Sequence, residues 1–216
     1  MRRGAIAVLL TGSLAVATLT AIAQTAKPAN PVPAASKATD ADRTSKAAIA
    51  AAGRKAAEFC ANCHGEDGNS TASDVPNLAG QNRAYLLTQM QKYASGERKN
   101  RFKEGLLRLL PPADLPLLAT YYADSAVKPI AKEPDASADQ GRKLYQRLCA
   151  NCHGPTALGS ESLPRLAGQQ TDYIRVSLMR YRANTGERVF APMSTVTAGL
   201  SEPDIMALAA YLNRVR

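Results

Sequence analysis

Two identical hexapeptides, CANCHG at residues 60–65 and 149–154, contain every cysteine and histidine of this 216-residue chain. Each one spaces two thiols three residues apart and places an imidazole directly after the second thiol. This spacing suits a c-type haem, because the thiols add to the two vinyl groups and the imidazole binds the iron. We therefore expect two covalently attached haem c groups. Their attachment residues are Cys60, Cys63, Cys149 and Cys152, and their proximal ligands are His64 and His153.

Two other uses of paired cysteines fit this pattern less well. A zinc site built from two cysteine pairs separates them by roughly 12 to 20 residues, whereas the second hexapeptide begins 89 residues after the first. A thioredoxin-like disulfide would lie in a βαβ unit, and no segment alternates apolar and polar residues as a surface strand does. Neither use requires a histidine after both pairs, so haem attachment is the favoured interpretation.

The iron of an electron-transfer haem usually binds a second ligand, methionine or histidine, on the face opposite the proximal histidine. No histidine remains for this role. Met193 follows Pro192 in RVFAPMSTVTAG, a Thr-rich stretch that we interpret as a loop, 40 residues after His153. We expect Met193 to be the axial ligand of the second haem. The remaining internal methionines fall on apolar stripes typical of core residues: Met90, Met179 and Met206.

The position that matches Met193 in the first half is Lys103, in the stretch RKNRFKEGLL, which has no methionine. Four arrangements are compatible with this difference. Lys103 binds the iron as a neutral amine whose pKa is lowered by burial and by the metal. Otherwise water or hydroxide binds, the iron stays five-coordinate and open to a small ligand, or Met90 reaches it from its helix. Lys103 is therefore a candidate ligand, and the other three arrangements stay open.

The hexapeptides lie in a tandem repeat. PNLAGQ at 76–81 matches PRLAGQ at 164–169, and GER at 96–98 matches GER at 186–188. Apolar residues recur at helical spacing in both halves, and Ala and Leu dominate the apolar set, so we predict an all-α fold. The predicted order begins with a signal peptide (1–23) and a flexible linker (24–46). A first helical domain (47–126), a short linker (127–136) and a second helical domain (137–216) follow.

The first residues resemble an export signal. Arg2 and Arg3 precede an apolar run, and Ala21-Ile22-Ala23 matches a signal-peptidase site, so we predict cleavage near Ala23 and a periplasmic location. Retention of the segment as a membrane anchor is the alternative. Residues 1–23 contain two arginines and no acids, so cleavage lowers the formal charge from +9 to +7. This excess favours partner proteins with acidic docking surfaces, and the scattered basic residues argue against nucleic acid.

Taken together, these motifs resemble the cytochrome c4 family. The resemblance covers roughly residues 47–216 and rests on paired CxxCH and PxLAGQ motifs, equally spaced tyrosines, GER and the APM sequence. It implies two cytochrome c-like helical domains that face each other about a pseudo-twofold axis, each around one covalently bound haem. In that family both domains usually supply a methionine ligand. Lys103 departs from this pattern.

From this resemblance we expect an exported dihaem carrier that transfers electrons between a periplasmic or membrane donor and a terminal oxidase or reductase. A membrane-bound oxidase or dehydrogenase is a candidate partner. The alternative is a dihaem enzyme or enzyme subunit whose first haem, lacking the matching methionine, binds a substrate. No further histidine, cysteine or tryptophan accompanies that haem, which favours the carrier.

Overall fold

The computed structural model describes residues 40–130 and 135–216. The predicted signal peptide and residues 24–39 of the predicted linker lie outside these ranges. Within them the chain is helical and has no β-strand, which confirms the all-α prediction. The first half contains α1 (Asp40–Ala56), α2 (Glu58–His64), α3 (Arg83–Ser95), α4 (Arg101–Leu109) and α5 (Asp114–Asp124). The second half contains α6 (Ala138–Leu148), α7 (Ala150–His153), α8 (Thr171–Ala183), α9 (Ala191–Thr197) and α10 (Glu202–Arg214).

Two predictions about local structure were wrong. The flexible linker was extended too far, because α1 already begins at Asp40 and includes residues 40–46. No Gly or Pro interrupts the sequence there, so the Ala-rich helix continues towards the N-terminus. The stretch around Met193 is the helix α9, not a loop. Pro192 lies in the first turn of α9, where proline is favoured because its missing N–H has no partner to lose.

Each half is built on the crossing of its first and last helices, and a glycine lies at both crossings. A Cβ atom added to Gly53 of α1 would lie 2.6 Å from Tyr121 Cβ of α5. A Cβ atom on Gly141 of α6 would overlap the backbone carbonyl of Ala207 in α10. Gly53 and Gly141 are equivalent in the repeat. In both halves, therefore, a residue without a side chain lets the first and last helices pack closely.

Two hydrophobic cores, one in each half, hold the helices in place. The first includes Leu86, Leu118 and Tyr122, and the second includes Tyr145 and Ile205, both of which are fully buried. Both halves belong to one compact unit. In the part of the chain that the structure describes, no helix combines the length and apolarity needed to cross a membrane.

Two buried glutamines join the halves through the same pair of hydrogen bonds. Gln81 accepts a hydrogen bond from the backbone N–H of Arg165 (2.7 Å) and donates one to its carbonyl (2.9 Å). Gln169 accepts from the N–H of Asn77 (2.7 Å) and donates to its carbonyl (3.0 Å). Because residues 77 and 165, and residues 81 and 169, are equivalent in the repeat, the two halves are related by a pseudo-twofold axis.

We predict that Gln169→Ala destabilises the holoprotein by about 2 kcal/mol or more, because it leaves the buried N–H and carbonyl of Asn77 without partners. Guanidinium denaturation measures the free energy of unfolding. Gln140→Ala is the matched control, since the exposed Gln140 side chain bonds only Asp204 within its own half. Equal losses in the two variants would contradict the role assigned to the interface.

Candidate haem centres

Each CANCHG segment lies at the end of a short helix. Helix α2 ends at His64, and α7 ends at His153. Side chains three residues apart lie on the same helix face, so the thiols of each pair point in similar directions. All four cysteines are free thiols in the structure. Cys60 and Cys149 are partly buried, whereas Cys63 and Cys152 are exposed.

The two thiol pairs do not form a common site. Among residues 40–130 and 135–216, no group of three or more His, Cys, Asp or Glu side chains is arranged to hold a metal ion. The zinc site considered from the sequence requires four such ligands around one metal. The structure instead gives each thiol pair its own adjacent histidine.

Both histidines are oriented by a proline carbonyl. His64 Nδ1 donates to the carbonyl of Pro76 at 2.9 Å, and His153 Nδ1 donates to the carbonyl of Pro164 at 3.2 Å. A carbonyl only accepts, so the proton lies on Nδ1 and the lone pair lies on Nε2. This is the tautomer that binds a metal through Nε2. This role of the two prolines in orienting the imidazoles was not predicted from the sequence.

Burial keeps both imidazoles in the neutral form that a metal ligand requires. Burial, reinforced by the charge of Lys103, lowers the pKa of His64 to about 4, against the opposing effect of the bond to Pro76. Burial also lowers the pKa of His153. At neutral pH both Nε2 atoms are therefore unprotonated and retain the lone pair that a metal ligand needs.

A cavity of about 640 Å³ extends across both halves and contains both histidines. Its walls are mainly apolar, and the first thiol pair, Cys60 and Cys63, lies on its surface. Lipophilic walls, paired thiols and neutral imidazoles are what a covalently held haem requires, so these residues fit that group. The apolar lining includes Leu86, Leu107, Leu118, Leu166, Ile174 and Leu178.

The two candidate second ligands line the same cavity. Lys103 lies on α4 and Met193 on α9, and both side chains are partly buried. Lys103 Nζ lies 3.1 Å from Nε2 of His64. Burial lowers the pKa of Lys103. The structure therefore brings Lys103 together with His64 and places Met193 in the cavity with His153.

Two arginines with no carboxylate partner lie between the halves. Arg188 is 6% exposed, and its side chain donates to the hydroxyls of Tyr85 and Tyr173, both at 3.3 Å, while its Nε has no hydrogen-bond partner. Arg98 also donates to Tyr173, at 3.3 Å. Neither arginine forms an ion pair with another described residue. A buried guanidinium needs a negative partner, and the propionates that haem carries would supply one.

Comparison with known proteins identifies the family. Residues 50–113 match the cytochrome c family, and residues 136–212 match the family described as cytochrome c oxidase, cbb3-type, subunit III. The chain is 35% identical over 175 residues to cytochrome c4 of Pseudomonas aeruginosa, which covers 76% of this chain and 87% of that protein. This chain belongs to the cytochrome c4 family.

Two further similarities extend this result. The crystal structure of reduced recombinant cytochrome c4 from Pseudomonas stutzeri matches with a TM-score of 0.71 and 33% identity, covering 77% of this chain and 98% of that one. The thiosulfate dehydrogenase electron acceptor of Thiomonas intermedia is 34% identical over 171 residues, covering 72% of this chain and 78% of that protein. The tandem cytochrome c fold is thereby confirmed. The cytochrome c4 relatives make this chain an electron-transfer cytochrome with haem c as cofactor.

We predict that Arg188→Gln lowers the reduction potentials of the holoprotein, because a buried positive charge favours the reduced, less positive iron. The expected change is on the order of 50 mV, close to a tenfold change in a one-electron equilibrium. Spectroelectrochemical titration measures it. Arg83→Gln is the control, since the Arg83 side chain is 59% exposed. Arg188→Lys retains a charge and should shift the potentials less. Unchanged potentials in Arg188→Gln would contradict the assignment.

Proposed function

We propose that this chain is an exported electron carrier with one haem c attached at each CANCHG segment. Cys60 and Cys63 would hold the first haem and Cys149 and Cys152 the second. The observation that carries this proposal is the cavity shared by His64 and His153, because both candidate sites open into the same space. Two haems in such a cavity would exchange electrons within the molecule before exchanging them with a partner.

Met193 is proposed as the second axial ligand of the haem held by His153. Met193 is the third residue of α9, and it lines the cavity that also contains that histidine; both observations support the assignment. A methionine and a histidine together keep iron six-coordinate and raise its reduction potential. A closed coordination shell suits electron transfer, because no ligand has to leave when the oxidation state changes.

The partners are redox proteins, and we propose that the donor is a periplasmic or membrane-bound dehydrogenase and the acceptor a terminal oxidase or reductase. The similarity to a protein named thiosulfate dehydrogenase electron acceptor supports a dehydrogenase as donor. The positive charge of the chain supports docking on acidic surfaces, since opposite charges accelerate encounter. A periplasmic location follows from the export signal proposed for residues 1–23.

A second candidate function is substrate binding at the first haem. The observation that favours it is the absence of methionine at position 103. In that case the chain would be an enzyme or enzyme subunit, and the second haem would relay electrons to or from the reacting site. The two functions differ in whether the first haem takes up an external ligand.

We predict that the purified holoprotein takes up one electron per haem and transfers them to an oxidase or reductase. Peroxide, thiosulfate and nitric oxide should not be turned over. Redox titration and stopped-flow oxidation measure these properties. The Cys60→Ser/Cys63→Ser double variant should lose one haem and half of the electron uptake, with the second haem unaffected. Catalytic turnover of any of these compounds would support the enzyme function instead.

We predict that the mature protein begins at Gln24. Expression in a Gram-negative host followed by cell fractionation and N-terminal sequencing checks both the location and the cleavage site. Replacing Leu9 and Leu10 by aspartate should prevent export, because charged residues break the apolar run that the export machinery recognises. Haem-loaded protein with an intact N-terminus in the membrane fraction would show that the segment is retained as an anchor.

A further inference from the structure

Lys103 and Met193 occupy equivalent places on equivalent helices. The residues before α4 and α9, Asn100 and Phe190, have nearly the same extended backbone conformation, with φ/ψ of −168°/105° and −160°/101°. Lys103 and Met193 are each the third residue of the helix that follows. The match read from the sequence therefore also holds in three dimensions, and Lys103 is directed to the first site as Met193 is to the second.

The amine of Lys103 faces the ligand nitrogen of His64. Lys103 Nζ lies 3.1 Å from His64 Nε2, while the opposite ring nitrogen is occupied by the carbonyl of Pro76. Lys103 forms no ion pair with any other described residue, and Asp74 is the only acid among the residues that line the cavity. A surface lysine would extend its charge into water. This one points inward, towards the Nε2 lone pair of His64.

Met90 is the other internal side chain considered for this role. It also lines the cavity, and it packs against the first hydrophobic core. Its equivalent in the second half is Leu178, which lines the cavity and packs against the second core in the same way. Position 90 is therefore occupied by an apolar residue that lines the cavity in both halves. The repeat instead matches the proposed ligand Met193 with position 103.

Residues next to Lys103 hold its helix in place. The Asn100 side chain accepts a hydrogen bond from the backbone N–H of Lys103 (3.0 Å), and Glu104 accepts one from the N–H of Asn100 (3.0 Å). Arg108 bonds Glu104 at 3.3 Å and the carbonyl of Ala94 in α3 at 2.9 Å. These contacts fix the first turn of α4 against α3, so only the flexible stem of Lys103 has to adjust when a porphyrin lies between its amine and His64.

We propose that Lys103 is the second axial ligand of the haem held by His64. Lys103 binds the iron through the lone pair of its side-chain nitrogen. Lys103 releases one proton to solvent when this bond forms, so charge and atoms balance. The proposal rests on the proposed attachment of a haem at Cys60 and Cys63. It gives the two haems of one chain different ligand pairs, histidine with lysine and histidine with methionine.

Three substitutions of Lys103 test the assignment by electron paramagnetic resonance and near-infrared spectra of the oxidised holoprotein. Lys103→Met should give the first haem the same methionine signature as the second and raise its reduction potential, because a thioether is a softer ligand that favours reduced iron. After reduction of the protein, Lys103→Ala should open the ferrous first haem to CO, with an apparent affinity at least about tenfold higher than in the unaltered protein, since no internal ligand competes.

Lys103→Arg separates ligation from charge. Arginine retains a positive charge but stays protonated, so it cannot donate a nitrogen lone pair. This variant should open the first haem as Lys103→Ala does. Lys99→Met, which changes an exposed lysine on the same segment, should leave both spectra unchanged. Met193→Ala should open the second haem alone.

The outcomes distinguish this proposal from the proposed function. Equal affinity of the first haem for CO in the unaltered protein and in Lys103→Ala, or spectra unchanged in Lys103→Ala and Lys103→Arg, would overturn lysine ligation while leaving electron transfer intact. Conversely, if the expected spectral changes appear but the protein exchanges no electrons with an oxidase or reductase, the ligand assignment stands and the carrier function fails. Haem content, measured on every variant, identifies loss of the cofactor itself.

Discussion

The structure depends on one interaction between the halves, the exchange of amide hydrogen bonds by Gln81 and Gln169. The side-chain amide of Gln81 bonds the backbone N–H and carbonyl of Arg165, and that of Gln169 bonds those of Asn77. Both glutamines are only 6% exposed. Buried backbone groups are costly when unpaired, so the halves cannot slide or separate without losing four bonds. This arrangement turns the open side of each helical domain towards the other and closes a single cavity between them.

Much of this organisation could be predicted from the sequence because it is carried by local patterns. CANCHG, the tandem repeat and the helical spacing of apolar residues predicted the fold and its family. The interface could not be predicted in the same way, since Gln81 and Arg165 lie 84 positions apart in the sequence and meet only in the folded chain. The roles of the Pro76 and Pro164 carbonyls were also hidden, because a backbone oxygen has no sequence signature. Helix α9 was missed because its Thr- and Val-rich residues have weak intrinsic helix propensity, and tertiary packing overrides that preference.

The pseudo-twofold symmetry is close in the backbone and broken in selected side chains. The residues that join the halves and orient the histidines occur in matching pairs. The helices that carry Lys103 and Met193 differ at their first residues. Helix α4 begins with a side-chain cap from Asn100, whereas Phe190 offers none to α9. Tyr122 in the first core also corresponds to Leu212 in the second, and its buried hydroxyl has no hydrogen-bond partner. The first site is therefore more polar and its ligand helix more firmly anchored than the second.

This asymmetry bears on the direction of electron flow. If Lys103 remained an ammonium ion, it would join four arginines that line the cavity, Arg98, Arg165, Arg180 and Arg188, while Asp74 is the only acid among the lining residues. Such a cluster would repel oxidised iron and cost desolvation energy for each charge. Binding as a neutral amine removes the charge of Lys103 and gives the first haem a harder ligand than the thioether of Met193. A harder ligand favours oxidised iron, so the first haem would have the lower potential. Electrons entering at the first haem would then pass spontaneously to the second haem, which has the higher reduction potential. The two CANCHG segments would thus hold haems that act in a defined order.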